Sequence, residues 1–150
     1  MAHEIGHRSI LVPLGVNSES EIAFDVACRL AAERRCSLTA IAVVEMPAVL
    51  PVDAHMEEEE RAARRLLDHA ACIGDSYGLD VTQRLVRARE AATAIVEEAS
   101  ARNTELIVLG TSRKHGRPFG RTAEAVLKGA RCRVMLIAPP ADALQARVAV

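Results

Sequence analysis

Two glycines, Gly110 and Gly120, flank a polar, basic segment that could bind an anion. The segment follows a short apolar run and precedes a helical pattern that begins at Arg121. Glycines let backbone N–H groups face a ligand, and the N-terminus of a helix favours negative charge. Four positive charges within nine residues add to this effect, namely Arg113, Lys114, Arg117 and Arg121. The segment therefore predicts a site for a nucleotide phosphate or another small anionic ligand.

Short apolar runs alternate with longer helical patterns along the whole chain. Strands are expected at residues 9–14, 38–44, 81–86, 106–109 and 132–138, and helices at 18–30, 54–77, 91–102 and 121–130. Parallel neighbouring strands need crossover connections, and these connections are right-handed. The alternation therefore predicts an α/β fold: an open, mainly parallel five-stranded sheet with helices on both faces, a Rossmann-like architecture.

The first helix has an explicit start signal. Ser18 and Glu21 have the spacing of a capping box, so we expect Ser18 to cap this helix. The apolar residues expected to form its buried face are Ile22, Ala23, Val26, Ala27 and Leu30.

The predicted topology places the candidate site at one edge of the sheet. In open parallel sheets, ligands bind outside the carboxyl ends of the strands, at the point where the strand order reverses. Residues 14–17, 43–47 and 110–122 follow the first, second and fourth strands and meet there. The candidate binding residues are Leu14, Gly15, Val43, Gly110, Thr111, Ser112, Arg113, Gly120, Arg121 and Thr122.

Composition limits the class of protein. The 150 residues suit a single domain, residues 1–150, with its core at about 8–138 and a C-terminal tail at 139–150. Half of the residues are hydrophobic but only 2% are aromatic, so the core must be aliphatic. A net charge of −1 argues against nucleic acid as a partner. The four cysteines form no C-x-x-C pair and are expected to be reduced core residues of a cytoplasmic protein.

The chain resembles the universal stress protein family over about residues 8–138. Its start, ILVPLGVNSESE at residues 10–21, is similar to the family's ILVPVDGSxxSE opening, and the segment from Gly110 resembles the family's G-x-x-G-x9-G-[ST] loop. This resemblance implies that ATP or another adenine nucleotide binds, with Val43 flanking the adenine. It implies no metal for the fold.

The resemblance includes departures from the family's ATP site. Gly15 stands where nucleotide-binding members have Asp, and Arg113 stands where the loop has its second glycine. Arg121 replaces the Ser or Thr after the last glycine, which leaves Thr122 as a substitute. The loop from Gly110 to Gly120 is three residues shorter than the family pattern. The ATP-binding loop is therefore degenerate.

Other motifs carry less weight. His3 to His7 spells H-E-x-x-H, a zinc protease motif, but it lies at the N-terminus, contains a glycine and precedes a strand. Residues 116–122 resemble a Walker A loop that is one residue short and has Arg in place of Lys. His55, His69 and His115 are expected on the surface. No catalytic or metal-ligating residue is assigned.

The expected function is therefore a regulatory binding module and not an enzyme. The alternative is a cytosolic regulatory domain of a membrane transporter that has lost ATP binding, because residues 119–135 are similar to stress-protein domains appended to amino-acid permease-like transporters. Weak nucleotide hydrolysis is a third possibility. The last strand, from Cys132 to Ala138, is an apolar edge segment, and it is expected to pair with a second copy in a homodimer.

Overall fold

A computed structural model describes residues 8–113, 117 and 119–141. The H-E-x-x-H motif, Lys114, His115 and the tail from residue 142 lie outside the described residues. The elements are β1 (Ser9–Pro13), α1 (Ser18–Arg34), β2 (Ser37–Glu45), α2 (Glu57–Ser76), β3 (Val81–Ala88), α3 (Ala91–Ala101), β4 (Leu106–Gly110), α4 (Arg121–Gly129) and β5 (Arg133–Ile137).

The five strands form one parallel sheet in the order β3-β2-β1-β4-β5. The predicted α/β fold is thus confirmed. The chain extends the sheet in one direction from β1 to β3, and β4 then returns to the other side of β1. The strand order therefore reverses between β1 and β4, and a ligand site is expected at the carboxyl ends of these strands.

Helices cover both faces of the sheet. On one face, α1 and α2 bury Phe24, Cys28 and Leu67 against the strands, and on the other α3 and α4 bury Ile95 and Val126. Successive strand residues alternate between the two cores, as the pleat of a strand requires. Within the described residues the core is mainly aliphatic, as the composition predicts.

The start and the buried face of α1 differ from the prediction. Asn17 caps the helix, since its Oδ1 accepts a hydrogen bond of 2.8 Å from the backbone N–H of Ser20. The expectation that Ser18 is the cap was wrong by one residue. The buried face is shifted as well: Ile22 is 50% exposed, and Phe24 and Cys28 are buried. Apolar residues occur all around this helix, so their spacing does not define a single face.

The cysteines do not all lie in the core. All four are free, but only Cys28 is buried, and Cys72 is exposed. Burial, assisted by the negative charge of Asp25, raises the pKa of the Cys28 thiol to about 11. The expectation of core cysteines was therefore wrong for Cys72.

His55 and His69 are exposed, as expected. Within the described ranges, no helix has the length and apolar character needed to span a membrane.

Candidate functional site

A cavity of about 700 Å³ lies at the carboxyl ends of β1 and β4, at the point where the strand order reverses. We call it the carboxyl-end cavity. The structure brings the three predicted segments together around it. The predicted residues in its lining are Leu14, Gly15, Val43, Gly110, Thr111, Ser112, Gly120, Arg121 and Thr122.

Arg113 is the predicted residue that does not line the carboxyl-end cavity. Its Nε donates a hydrogen bond of 2.6 Å to the carbonyl oxygen of Pro139, just beyond the end of β5. The side chain therefore links the end of β4 to the chain that follows β5. This position differs from the one expected for a ligand-binding residue.

The turn between β1 and α1 is held by its own polar groups. The backbone N–H of Gly15 donates to Ser20 Oγ at 2.7 Å, and the N–H of Ser20 donates to Asn17 Oδ1 at 2.8 Å. Leu14 is tied to β2, because its N–H donates to the carbonyl of Ile41 at 2.8 Å. Ser20 is only 4% exposed. This wall of the cavity is therefore preorganised by bonds within the chain.

Gly110 is required by packing. A Cβ atom at this position would overlap the backbone of Glu19 and Ser20, in the first turn of α1. Backbone atoms cannot move aside as the end of a flexible side chain can. The glycine at the end of β4 therefore lets α1 begin directly against the sheet, a function that its place in a phosphate loop did not predict.

Thr111 connects the two ends of the basic loop. It is 4% exposed, its N–H donates to the carbonyl of Ile137 at 2.9 Å, and its Oγ1 accepts a 2.9 Å hydrogen bond from the N–H of Gly120. The N–H of Gly120 was expected to face a ligand, but it bonds to Thr111 instead. A side chain at Gly120 would make only ordinary contacts with Thr111 and Ser112.

The N-terminus of α4 forms the cationic side of the cavity. Its N-cap is Gly120, and no side chain of the described residues caps this helix. Arg121 and Thr122 begin the helix and line the cavity together with Arg117. Arg117 lies 3.7 Å from Glu124 in an exposed ion pair. Backbone N–H groups and guanidinium groups on one wall favour an anion.

Another part of the cavity lining is apolar. It is formed by Ile41, Val43, Ala91, Ile95 and Leu109 from β2, β4 and α3. α3 also begins at the cavity, but the N–H of Ala91 donates to the carboxylate of Glu45 at 2.9 Å. A cavity whose lining has an apolar part and a cationic part suits a ligand with a flat apolar ring and an anionic group.

Several lining residues were not among the predicted site residues. Asn17 lay in the predicted segment 14–17 but was not singled out, and Ser20 was not predicted, because Ser18 and Glu21 fitted a capping motif, although an Asn next to a helix start is itself a cap signal. Arg117 was identified as a loop charge but not as a site residue. Ile41 and Ile95 carry no polar signal, so only the three-dimensional arrangement identifies them. Among the described residues, no group of three His, Cys, Asp or Glu side chains could hold a metal ion.

The chain is similar to proteins of a known family and to several solved structures. The universal stress protein family matches residues 6–138. Similar solved structures include a universal stress protein from Archaeoglobus fulgidus (TM-score 0.73, 22% identity, 87% of this chain and 93% of that chain). Another is a family protein from Burkholderia pseudomallei (TM-score 0.70, 29% identity, 86% and 94%). A third is the Archaeoglobus fulgidus protein in complex with dAMP (TM-score 0.71, 19% identity, 89% and 98%). No curated protein matches the chain.

Proposed function

The chain belongs to the universal stress protein family, and we propose that its carboxyl-end cavity binds an adenine nucleotide. We further propose that binding makes the chain a regulatory module of the cytoplasm and not a catalyst. Membership of the family supports the binding of a nucleotide, and the apolar and cationic parts of the cavity lining support the choice of an adenine nucleotide as the ligand.

The observation that carries this proposal is that the lining of one cavity has an apolar part and a cationic part. Ile41, Val43 and Ile95 offer an apolar surface to a base, and Arg117 and Arg121 line the same cavity at the N-terminus of α4, which has no side-chain cap among the described residues. A nucleotide has the same division, because its base is flat and largely apolar and its phosphate is anionic. The solved Archaeoglobus fulgidus complex with dAMP has the same fold, which supports an adenine nucleotide.

The phosphate side favours a short phosphate chain. The loop between Gly110 and Gly120 is three residues shorter than the family pattern, and the N–H of Gly120 is bonded to Thr111. Fewer backbone donors are therefore available than in the full loop. We expect a nucleoside monophosphate to bind at least as tightly as the triphosphate.

Calorimetric titration of the full chain with AMP, ATP and adenosine tests the proposal. We expect saturable binding of one AMP per chain, ATP no tighter than AMP, and adenosine weaker than both. Failure of all three compounds to bind would overturn the assignment of an adenine nucleotide. Binding of inorganic phosphate with the same affinity as AMP would show an anion site with no base recognition.

Two features favour a second candidate, a regulatory domain of a membrane transporter that has lost ATP binding. Gly15 lacks the carboxylate found in the family's nucleotide-binding members, and the loop is short. Transmembrane helices encoded in the same reading frame, together with a lack of nucleotide binding, would favour this candidate. Slow release of phosphate from ATP that depends on the loop from Gly110 would favour weak hydrolysis instead.

We propose that the chain forms a homodimer through its last strand. β5 is an edge strand of the sheet, and its apolar residues Val134 and Leu136 are only partly buried. An unpaired strand edge of this kind is prone to pair with a copy of itself. Sedimentation at micromolar concentration should show a dimer. A monomer, or an interface that leaves Val134 and Leu136 untouched, would contradict this proposal.

A further inference from the structure

A second cavity, of about 480 Å³, lies at the opposite end of the sheet. We call it the amino-end cavity. Its floor is a row of residues across three neighbouring strands, because Ile10 of β1 pairs with Leu106 of β4, which pairs with Arg133 of β5. Paired residues of parallel strands point to the same face of a sheet. Met135 lies on this face too, two residues farther along β5, so the floor is apolar with a cation at its outer end.

The wall of the amino-end cavity repeats this order of residue types. Leu30 and Arg34 line the cavity from α1, one helical turn apart and therefore on the same side of the helix. Leu30 packs against the buried core, and Arg34 is the exposed last residue of α1. On the floor and on the wall of the cavity, therefore, the apolar residues lie inside and an arginine lies at the amino end of the sheet.

The described side chains that line this cavity carry a net positive charge. Arg8 and Glu105 also line it, and their side chains form an ion pair of 4.0 Å that offsets both charges. Within the described residues, neither Arg34 nor Arg133 has a carboxylate within ion-pair distance. Two guanidinium groups at the edge of an apolar cavity can bind one anionic group, and the apolar interior can bind a hydrocarbon chain or ring.

We propose that the amino-end cavity binds a small amphiphilic carboxylate. The carboxylate lies between Arg34 and Arg133, and the apolar part of the ligand contacts Leu30, Leu106 and Met135. The cavity volume falls within the range of about 300 to 1,000 Å³ that is typical of small-molecule sites. The site is separate from the carboxyl-end cavity, because the two cavities lie at opposite ends of the strands and, among the described residues, have no lining residue in common.

Titration of the full chain with decanoate, below the concentration at which it forms micelles, tests this proposal. The double variant Arg34→Gln with Arg133→Gln should bind decanoate at least about tenfold more weakly than the unmodified chain. The control variant Arg61→Gln with Arg64→Gln removes the same charge from the exposed surface of α2 and should bind as the unmodified chain does. Equal loss in both variants, or none in either, would overturn the proposal.

A second measurement locates the ligand in the unmodified chain. Cys36 lines the amino-end cavity, and Cys72 is exposed on α2, away from it. Decanoate should slow alkylation of Cys36 by iodoacetamide, measured by mass spectrometry, and leave the rate at Cys72 unchanged. Saturating AMP should not displace decanoate. Unprotected Cys36, or displacement of decanoate by AMP, would place the ligand elsewhere and contradict the proposal.

Discussion

α1 and α4 both begin at the carboxyl-end cavity, but their N-termini differ. The N-terminus of α1 is capped by Asn17, and its first turn packs on Gly110. The N-terminus of α4 has Gly120 as its N-cap and, among the described residues, no side-chain cap. Two arginines stand beside it, Arg117 and Arg121. The first terminus is fixed by packing within the chain, and the second is the end of the site at which we propose that an anion binds.

The N-terminus of α3 supports this distinction between helix N-termini that are satisfied within the chain and the N-terminus of α4. α3 also begins at the cavity, but the carboxylate of Glu45 accepts a hydrogen bond from the N–H of Ala91. A negative side chain already lies at this helix N-terminus and stabilises it. Among the described helices that begin at the cavity, namely α1, α3 and α4, the N-terminus of α4 is therefore the one we propose for a phosphate. Proximity to a site does not by itself make a helix N-terminus a ligand-binding group.

The largest expected effect concerns the packing of the first turn of α1 on Gly110. Gly110→Ala places a Cβ atom into the backbone of Glu19 and Ser20, so the free energy of unfolding should fall by roughly 3 kcal/mol. The matched control is Gly15→Ala, whose Cβ would lie 3.7 Å from Asn17 Nδ2, an ordinary contact. Its stability should change by less than about 0.5 kcal/mol. Urea unfolding measures both, and equal stability of the two variants would show that the packing of α1 on Gly110 is loose.

The next largest effect distinguishes Arg117 and Arg121, the arginines beside the N-terminus of α4, from Arg113. Arg117→Ala with Arg121→Ala should weaken AMP binding roughly tenfold, which corresponds to about 1.4 kcal/mol, because both side chains lie beside α4 at the cavity. Stability should change little, since Arg117 and Arg121 are exposed. Calorimetry measures the affinity, and Arg61→Ala with Arg64→Ala controls for net charge.

Arg113→Ala should show the reverse pattern. Its affinity for AMP should stay within about twofold, and its free energy of unfolding should fall by about 1 kcal/mol, because Pro139 loses its donor. A variant of Arg113 that is stable but binds weakly would mean that this side chain leaves Pro139 and contacts the ligand.

The sequence predicted the architecture better than the details of the site. Alternating apolar runs and helical patterns are sufficient for the parallel sheet, and the sheet places the cavity. The roles of Gly110 and Arg113 could not be predicted in this way. Gly110 is explained by the backbone of Glu19, and Arg113 by the carbonyl of Pro139; both partners are distant in sequence and carry no side-chain signal.

The smallest expected effect concerns the base side of the cavity. Gly15 does not have a positive φ, and a Cβ atom would fit there, so Gly15→Asp can restore the missing carboxylate without backbone strain. AMP and ATP should bind about three- to fivefold more tightly, a gain of less than about 1 kcal/mol. Gly15→Asn, which has the same shape without the charge, is the control. Unchanged or weaker binding in a folded Asp variant would mean that the missing carboxylate does not limit affinity.

The most direct test of the role of α4 compares AMP with adenosine by NMR of the backbone amides. The two ligands differ only in the phosphate, so the difference between their chemical-shift changes locates that group. We expect this difference to be largest at Arg121, Thr122 and Ala123, the first residues of α4. A difference concentrated instead at Asn17 to Ser20 would place the phosphate at α1 and contradict the proposal.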